Sequence, residues 1–232
     1  MELENKQGLK ILVVFDLDHT LIDVDSEYMW GKYIVENNLI DESSYADANE
    51  KFNQDYMDGT LDALEHNKII ASILSSFTMK ELQDFRELYV NSVIKPNIRP
   101  KALSALQHHT ELNHTVLISS ATNDFLVPSI TDILGISKDN SISTPLEIIN
   151  NSYSGQLLDK PNYQEGKIYH LNKWLNNREL EKSSFDKIYA YSDSVNDLAL
   201  LQWADIAICV SPDEQLKGYA LKNNWLIENW SL

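Results

Sequence analysis

Asp16 and Asp18, separated by a single residue, stand in the segment Phe15-Asp16-Leu17-Asp18-His19-Thr20 directly after an apolar run. In extended geometry their side chains share one face, and two carboxylates that close repel unless a proton or a cation compensates. A magnesium ion takes oxygen ligands and commonly keeps waters while touching a substrate phosphate, which suits one carboxylate plus a backbone carbonyl here. The other reading of the same residues is an acidic turn in which Thr20 caps a helix. A second acidic turn, Tyr191-Ser192-Asp193-Ser194-Val195-Asn196-Asp197, also follows an apolar run and precedes a helical pattern. Ser119-Ser120-Ala121-Thr122-Asn123 offers hydroxyls and backbone N–H groups after Ile118, and Lys167 opens a helix in Gln164-Glu165-Gly166-Lys167. Taken singly, these residues read as helix caps and a solvated lysine.

The four elements do chemistry together only if the fold gathers them. Residues 9–15 are a short Leu, Ile and Val run ending in acid, the pattern of a buried strand that delivers its carboxyl end to a polar site. Residues 115–118, 187–190 and 206–210 repeat it, and helical patterns at 101–109, 125–134, 166–176 and 197–203 alternate with them. Such alternation predicts an α/β fold, a doubly wound, mostly parallel sheet covered on both faces. Sheets of this kind bind ligands beyond the carboxyl ends of their strands, where two acidic turns would converge.

Between residues 26 and 95 the pattern changes to helical spacing without a convincing strand, which predicts an inserted helical domain and leaves 1–25 and 96–232 as the core domain. Tyr28, Trp30, Tyr33, Phe52, Tyr56, Phe77, Phe85 and Tyr89 are expected in the core of that helical bundle. Pro96 and Pro100 bracket the return to the sheet. A hairpin is expected over 148–158, turning around Ser154-Gly155.

Composition limits the classes of function. The chain has 232 residues, 43% hydrophobic and 23% charged, with seven Gly and six Pro, which is the make-up of a globular protein with a sizeable core. A formal charge of -16, from 19 Lys+Arg against 35 Asp+Glu, excludes nonspecific binding of nucleic acid or of an anionic membrane surface. An anionic substrate therefore needs a local cation. The one cysteine, Cys209, excludes an intrachain disulfide and reads as a buried strand residue. Residues 1–8 lack a basic-then-apolar leader pattern and no apolar run has membrane-spanning length, so the expected location is cytoplasmic.

The ordered set Asp16-Leu17-Asp18-His19-Thr20, Ser120 after a strand, Lys167, and Asp193-Ser194-Val195-Asn196-Asp197 resembles the haloacid dehalogenase superfamily of phosphatases. The likeness spans nearly the whole chain and is to the phosphoserine-phosphatase-like branch, subfamily IB, with a helical cap of the C1 type after the first motif. The resemblance implies a Rossmann-like core and a Mg2+-dependent phosphatase acting on a small phosphorylated metabolite. It implies Asp16 as nucleophile carrying a phosphoaspartyl intermediate, and Asp18 as general acid and base whose backbone carbonyl also touches the metal. Asp193 completes the metal site, and Asp197 is a second metal-side carboxylate or a partner just outside it. Ser120 and Lys167 hold the phosphoryl oxygens, with Ser119 as the register alternative, and Asn196 contacts phosphate or substrate.

The substrate is left open between phosphoserine and histidinol phosphate. Asp25 stands where phosphoserine-specific relatives carry a Glu for the substrate ammonium, so that contact is retained. Those relatives also place an arginine early in the cap for the substrate carboxylate. Here Arg86, Arg99 and Arg178 are the only arginines, none earlier than Arg86, and Lys51 or Lys68 would offer a point charge in place of a fork. Histidinol phosphate has an ammonium and no carboxylate. A phospho-accepting regulatory domain also combines a sheet-end aspartate, a hydroxyl and a lysine, but Asp18 would hydrolyse the phosphoaspartate that such a switch must preserve. His19 reads as a turn residue, the other five histidines show no metal-ligand spacing, and oligomeric state is not written in the sequence.

Overall fold

The structure is a computed structural model that describes residues 9–231; residues 1–8, and with them the start of the expected core domain and the leader reading, lie outside the described residues. The chain begins with β1 (Ile11–Phe15), followed by four helices, α1 (Ser26–Glu36), α2 (Glu42–Met57), α3 (Ala63–Leu74) and α4 (Met79–Tyr89). A π-helical turn (Val90–Ile94) and a 3-10 turn (Lys95–Asn97) lead into α5 (Pro100–Glu111), β2 (Thr115–Asn123) and α6 (Val127–Ile133). Then come β3 (Ser141–Thr144), the hairpin of β4 (Leu146–Ile149) and β5 (Ser152–Leu157), and α7 (Glu165–Asn176). The chain closes with β6 (Lys187–Ser192), α8 (Leu198–Trp203), β7 (Ile206–Val210), α9 (Glu214–Asn223) and β8 (Leu226–Glu228).

Six strands form one sheet in the order β3-β2-β1-β6-β7-β8, every pairing parallel, which is the expected doubly wound α/β architecture. The period of two along β1 explains why it is central. Ile11, Val13 and Phe15 join the apolar layer that includes Leu106, Ile118 and Phe125, whereas Leu12 and Val14 join the opposite layer with Leu117, Leu171 and Leu201. A strand buried on both faces has no polar position until it ends, and Asp16 is the first residue past that end. The order reverses around β1, between β2 and β6, so the polar segments after these three strands meet.

Some elements carry too little signal to read from sequence. β3 (Ser-Ile-Ser-Thr) is mostly polar and β8 (Leu-Ile-Glu) is a three-residue edge strand exposed throughout. The hairpin turns at Asn150-Asn151, both in the left-handed region (φ 50° and 59°), and not at Ser154-Gly155, which lies inside β5. Two consecutive positive-φ asparagines suit the tight hairpin turn that matches strand twist. Cys209 is buried in β7, and no helix among the described residues is long and apolar enough to cross a membrane.

The helical segment α1–α4 leaves and rejoins the sheet through two linkers that pair with each other. Ile22 bridges Ile98 antiparallel, the Asp23 N–H donates to the Asn97 carbonyl (2.8 Å) and the Arg99 N–H to that of Leu21 (3.1 Å). Buried Arg99 clamps them, with Nε 3.0 Å from Asp23 Oδ1. Removing one partner of such a pair strands the other charge. Arg99→Leu is therefore expected to lower unfolding stability by about 2 kcal/mol in urea titrations; a loss below about 0.5 kcal/mol would contradict the clamp.

Packing divides the aromatic residues of this segment. Trp30 sits against Tyr89 (5.2 Å between centroids) and Phe125 (5.1 Å), and Phe77 packs on Phe85 (5.7 Å). Tyr28, Phe52 and Tyr56 depart from the bundle-core expectation, because they line a cavity between α1–α3 and the sheet. Helical periodicity marks an apolar stripe but not which neighbour covers its edge.

Candidate active site

Asp16 is held by β6, by Thr20 and by α7. Its backbone N–H donates to the Tyr191 carbonyl (2.9 Å), extending the β1–β6 ladder by one residue. Its Oδ1 accepts from Lys167 Nζ (2.7 Å) and its Oδ2 from the Thr20 hydroxyl (3.1 Å), which also lies 3.0 Å from Asp193 Oδ1. One hydroxyl carries one proton, so it can donate fully to only one of these two carboxylates. His19, in the left-handed region at φ 54°, makes the sharp turn that brings Thr20 back over Asp16.

Asp18 is fixed at both oxygens. Its Oδ1 accepts from the Ser26 N–H (2.7 Å), its Oδ2 from the hydroxyls of Ser120 (3.1 Å) and Thr122 (2.8 Å). The amide can only donate, whereas the hydroxyls can reverse and accept, so Oδ2 is the oxygen able to carry a proton. Ser120 and Thr122 share a face of β2 by the period of two, a signal present in the sequence that identifies Thr122 as well. Ser119 points elsewhere, accepting from Asn162 Nδ2 (3.1 Å).

Lys167 reaches this centre from the first turn of α7. Asn162 ties the preceding loop to β2 through Nδ2 to the Ser120 carbonyl (2.7 Å). Gly166 then passes so close to the Pro161 carbonyl that a Cβ would collide with it, which is why glycine precedes the lysine. Lys167 Nζ donates to Asp16 and to Asp197 Oδ2 (2.7 Å), and the latter oxygen also accepts from Ser192 Oγ (2.8 Å). Asp197 is thus the counter-ion of Lys167.

The charges do not balance. Burial raises the Asp16 carboxyl above its ordinary range, with Lys167 opposing and Asp18 adding to the rise. Burial, and then the neighbouring Asp16, lifts Asp193 well above the usual value. Asp18 is raised by burial and by Asp25, and burial brings Asp197 to about 6 against the pull of Lys167. Burial acts to lower the Lys167 pKa, but Asp16 and Asp197 outweigh it and the ammonium is held more firmly. One lysine against four aspartates leaves room for a further cation. No three His, Cys, Asp or Glu side chains among the described residues form a ready-made metal cage. Two carboxylates sharing one hydroxyl fit a hard cation that keeps waters and takes oxygen from substrate.

Over Asp18 lies a cavity of about 30 Å³, bounded by α1–α3 and by Tyr163, whose lining includes Asp25, Glu27, Tyr56, His66 and Asn67. Asp25 caps α1, its Oδ1 accepting from the N–H groups of Glu27 (2.9 Å) and Tyr28 (2.8 Å). Asn196 spends its amide within the protein, accepting from the Tyr163 hydroxyl (2.9 Å) and donating to the Tyr56 carbonyl (3.1 Å), so it ties α2 to the loop after β6. No lysine or arginine among the described residues lines the cavity. Arg86 donates to the Phe125 carbonyl (2.7 Å), Arg99 holds Asp23, and Arg178 reaches the Asp139 carbonyl (2.6 Å). Lys51 and Lys68 are exposed.

Known proteins resemble this chain in sequence and in fold. The family model described as haloacid dehalogenase-like hydrolase matches residues 13–202. A histidinol-phosphatase from Neisseria meningitidis serogroup C (strain 8013) is 35% identical over 223 residues, covering 96% of this chain and 100% of that protein. Among solved structures, a protein of unknown function from Bordetella pertussis Tohama I superposes with a TM-score of 0.90 at 28% identity, covering 97% of this chain and 100% of that one. A substrate-bound phosphoserine phosphatase matches in fold, with a TM-score of 0.68 at 18% identity over 97% of this chain and 96% of that one.

Proposed function

The chain belongs to the haloacid dehalogenase-like hydrolases and is a phosphatase of that family; from that premise we propose that it hydrolyses histidinol phosphate through a phosphoaspartyl intermediate on Asp16, with Mg2+ as cofactor and α1–α4 as a cap. The observation that carries the substrate is the cavity beside Asp18, which has acidic and amide walls and no lysine or arginine. A substrate carboxylate, as in phosphoserine, would meet Asp25 and Glu27 without a cation to hold it. An ammonium or a basic ring finds acceptors there. The identity shared with the Neisseria histidinol-phosphatase supports the same substrate.

In the first step the Asp16 carboxylate attacks phosphorus, the bond to the leaving oxygen breaks, and Asp18 delivers the proton held at Oδ2 to that oxygen. Asp18, now a carboxylate, takes a proton from water as the water oxygen attacks the phosphoaspartate. The bond to Asp16 breaks and phosphate leaves. Lys167 and the Ser120 hydroxyl meet the phosphoryl oxygens as charge spreads over them. Asp197 holds Lys167 in line. When bound, magnesium supplies positive charge for those oxygens and offsets the carboxylates; Asp16, Asp193 and the Asp18 backbone carbonyl would hold it. The cavity is partly open to solvent, and the paired linkers at 21–23 and 97–99 are where the cap would swing to admit the ester.

Phosphate release from histidinol phosphate and phosphoserine, measured side by side with Mg2+, tests this reading. The expected kcat/KM is about 100-fold higher for histidinol phosphate, with activity lost in EDTA. Equal or reversed preference would overturn the substrate, and undiminished turnover in EDTA would overturn the cofactor.

A further inference from the structure

We infer that Glu27 and Asn67, with His66 beside Glu27, form a specificity subsite that accepts the N–H groups of a basic nitrogen on the substrate. This rests on the proposed substrate class and deepens it by assigning the residues that read the cation. Two independent features of the cap point to it.

The first is Asn67, 2% exposed, on the cavity wall. Its Nδ2 donates to the Ala63 carbonyl (2.8 Å), but its Oδ1 has no hydrogen-bond partner among the described residues. A buried carbonyl oxygen left unpaired is costly, and the site regains that cost when a ligand supplies a donor. The second is Glu27, buried with its carboxyl bound by the Asn123 amide and 3.5 Å from His66 Nδ1. No lysine or arginine pairs with it in the cavity. Burial, then Asp25 and Asp18, push its carboxyl up to about 8, and burial lowers His66 to about 4. The pair is therefore a neutral imidazole beside an acid that lacks a cation. A basic group entering the cavity provides the missing counter-charge and lets Glu27 ionise.

The surrounding rings narrow the ligand further. Tyr28, Phe52 and Tyr56 line the same cavity, and Phe52 packs on His66 at 4.7 Å between centroids. Aromatic walls with acceptors at one end suit a flat basic ring better than a branched anion.

The experiment measures kcat and KM of the parent, Glu27→Gln, Glu27→Asp and Asn67→Ala on histidinol phosphate and on a neutral aryl phosphate. The quantity of interest is the ratio of kcat/KM for the first ester to that for the second. It is expected to fall about 30-fold in Glu27→Gln, mostly through KM, and about 5-fold in Asn67→Ala, with Glu27→Asp recovering part of the loss. A ratio within twofold of the parent in both Glu27→Gln and Asn67→Ala overturns the subsite, whether or not both esters slow together, while the substrate assignment stands. A parent enzyme that does not prefer histidinol phosphate to phosphoserine overturns the substrate assignment and this inference with it. Should Glu27→Gln fail to fold, Asn67→Ala decides alone.

Discussion

Replacing Asp16 by Asn is expected to lower kcat by at least about 10⁴-fold while leaving the melting temperature unchanged or higher. The amide keeps the shape of the side chain but cannot attack phosphorus, so the covalent route closes. Lys167 keeps Asp197 as a partner at 2.7 Å, and the Thr20 hydroxyl keeps Asp193 at 3.0 Å. The fold does not depend on the lost charge, because burial and Asp18 already hold the Asp16 carboxyl above its ordinary range. A group raised in this way contributes most stability below its unfolded pKa and loses it as pH rises through the folded value. In metal-free protein the advantage of the Asn variant should therefore grow with pH. Thermal melts beside activity assays separate the outcomes: inactivity with a lowered melting temperature would point to a folding defect and against a nucleophile.

The second large effect belongs to Asp18. Asp18→Asn should cost about 10³-fold in kcat on histidinol phosphate, because the alkyl leaving group needs the proton that Oδ2 carries. An aryl phosphate, whose leaving group departs without a proton, should still phosphorylate Asp16. The variant then lacks the base for the second step and should release one equivalent of phenol in a burst before slow turnover. Rapid mixing reads this directly, and linear release from the start would contradict a two-step role. In the parent, Asp18 is raised by burial and Asp25. The acid form therefore persists above the usual carboxylate range, and kcat on the alkyl ester should decline as pH rises through that raised value.

The sheet was legible because β1, β6 and β7 are apolar runs that stop at polar residues, and Asp16 and Asp193 mark two of those stops. β3 was not, since Ser-Ile-Ser-Thr has only one apolar position to alternate. Within the centre, the family resemblance pointed to Ser120, with Ser119 as the register alternative, and the period of two along β2 puts Thr122 on the same face, against the same Asp18 oxygen. Asp197 is thirty residues from Lys167 in the chain, and a pairing at that separation comes from packing α7 against the loop after β6. The α1–α4 segment was hardest to read. Tyr28, Phe52 and Tyr56 look like bundle core by periodicity, and Asn67 and Glu27 look like surface polar residues of α3 and α1. Only the way these helices close over Asp18 turns them inward.

The central claim is that phosphorus passes through Asp16. The most direct measurement is to mix Asp18→Asn with an aryl phosphate and Mg2+, quench, reduce with borohydride, which converts an acyl phosphate to the alcohol, and sequence the peptides by mass spectrometry. Homoserine at position 16, formed only after exposure to substrate, is the predicted result. Label at any other residue, or steady turnover with no residue modified, would contradict the account.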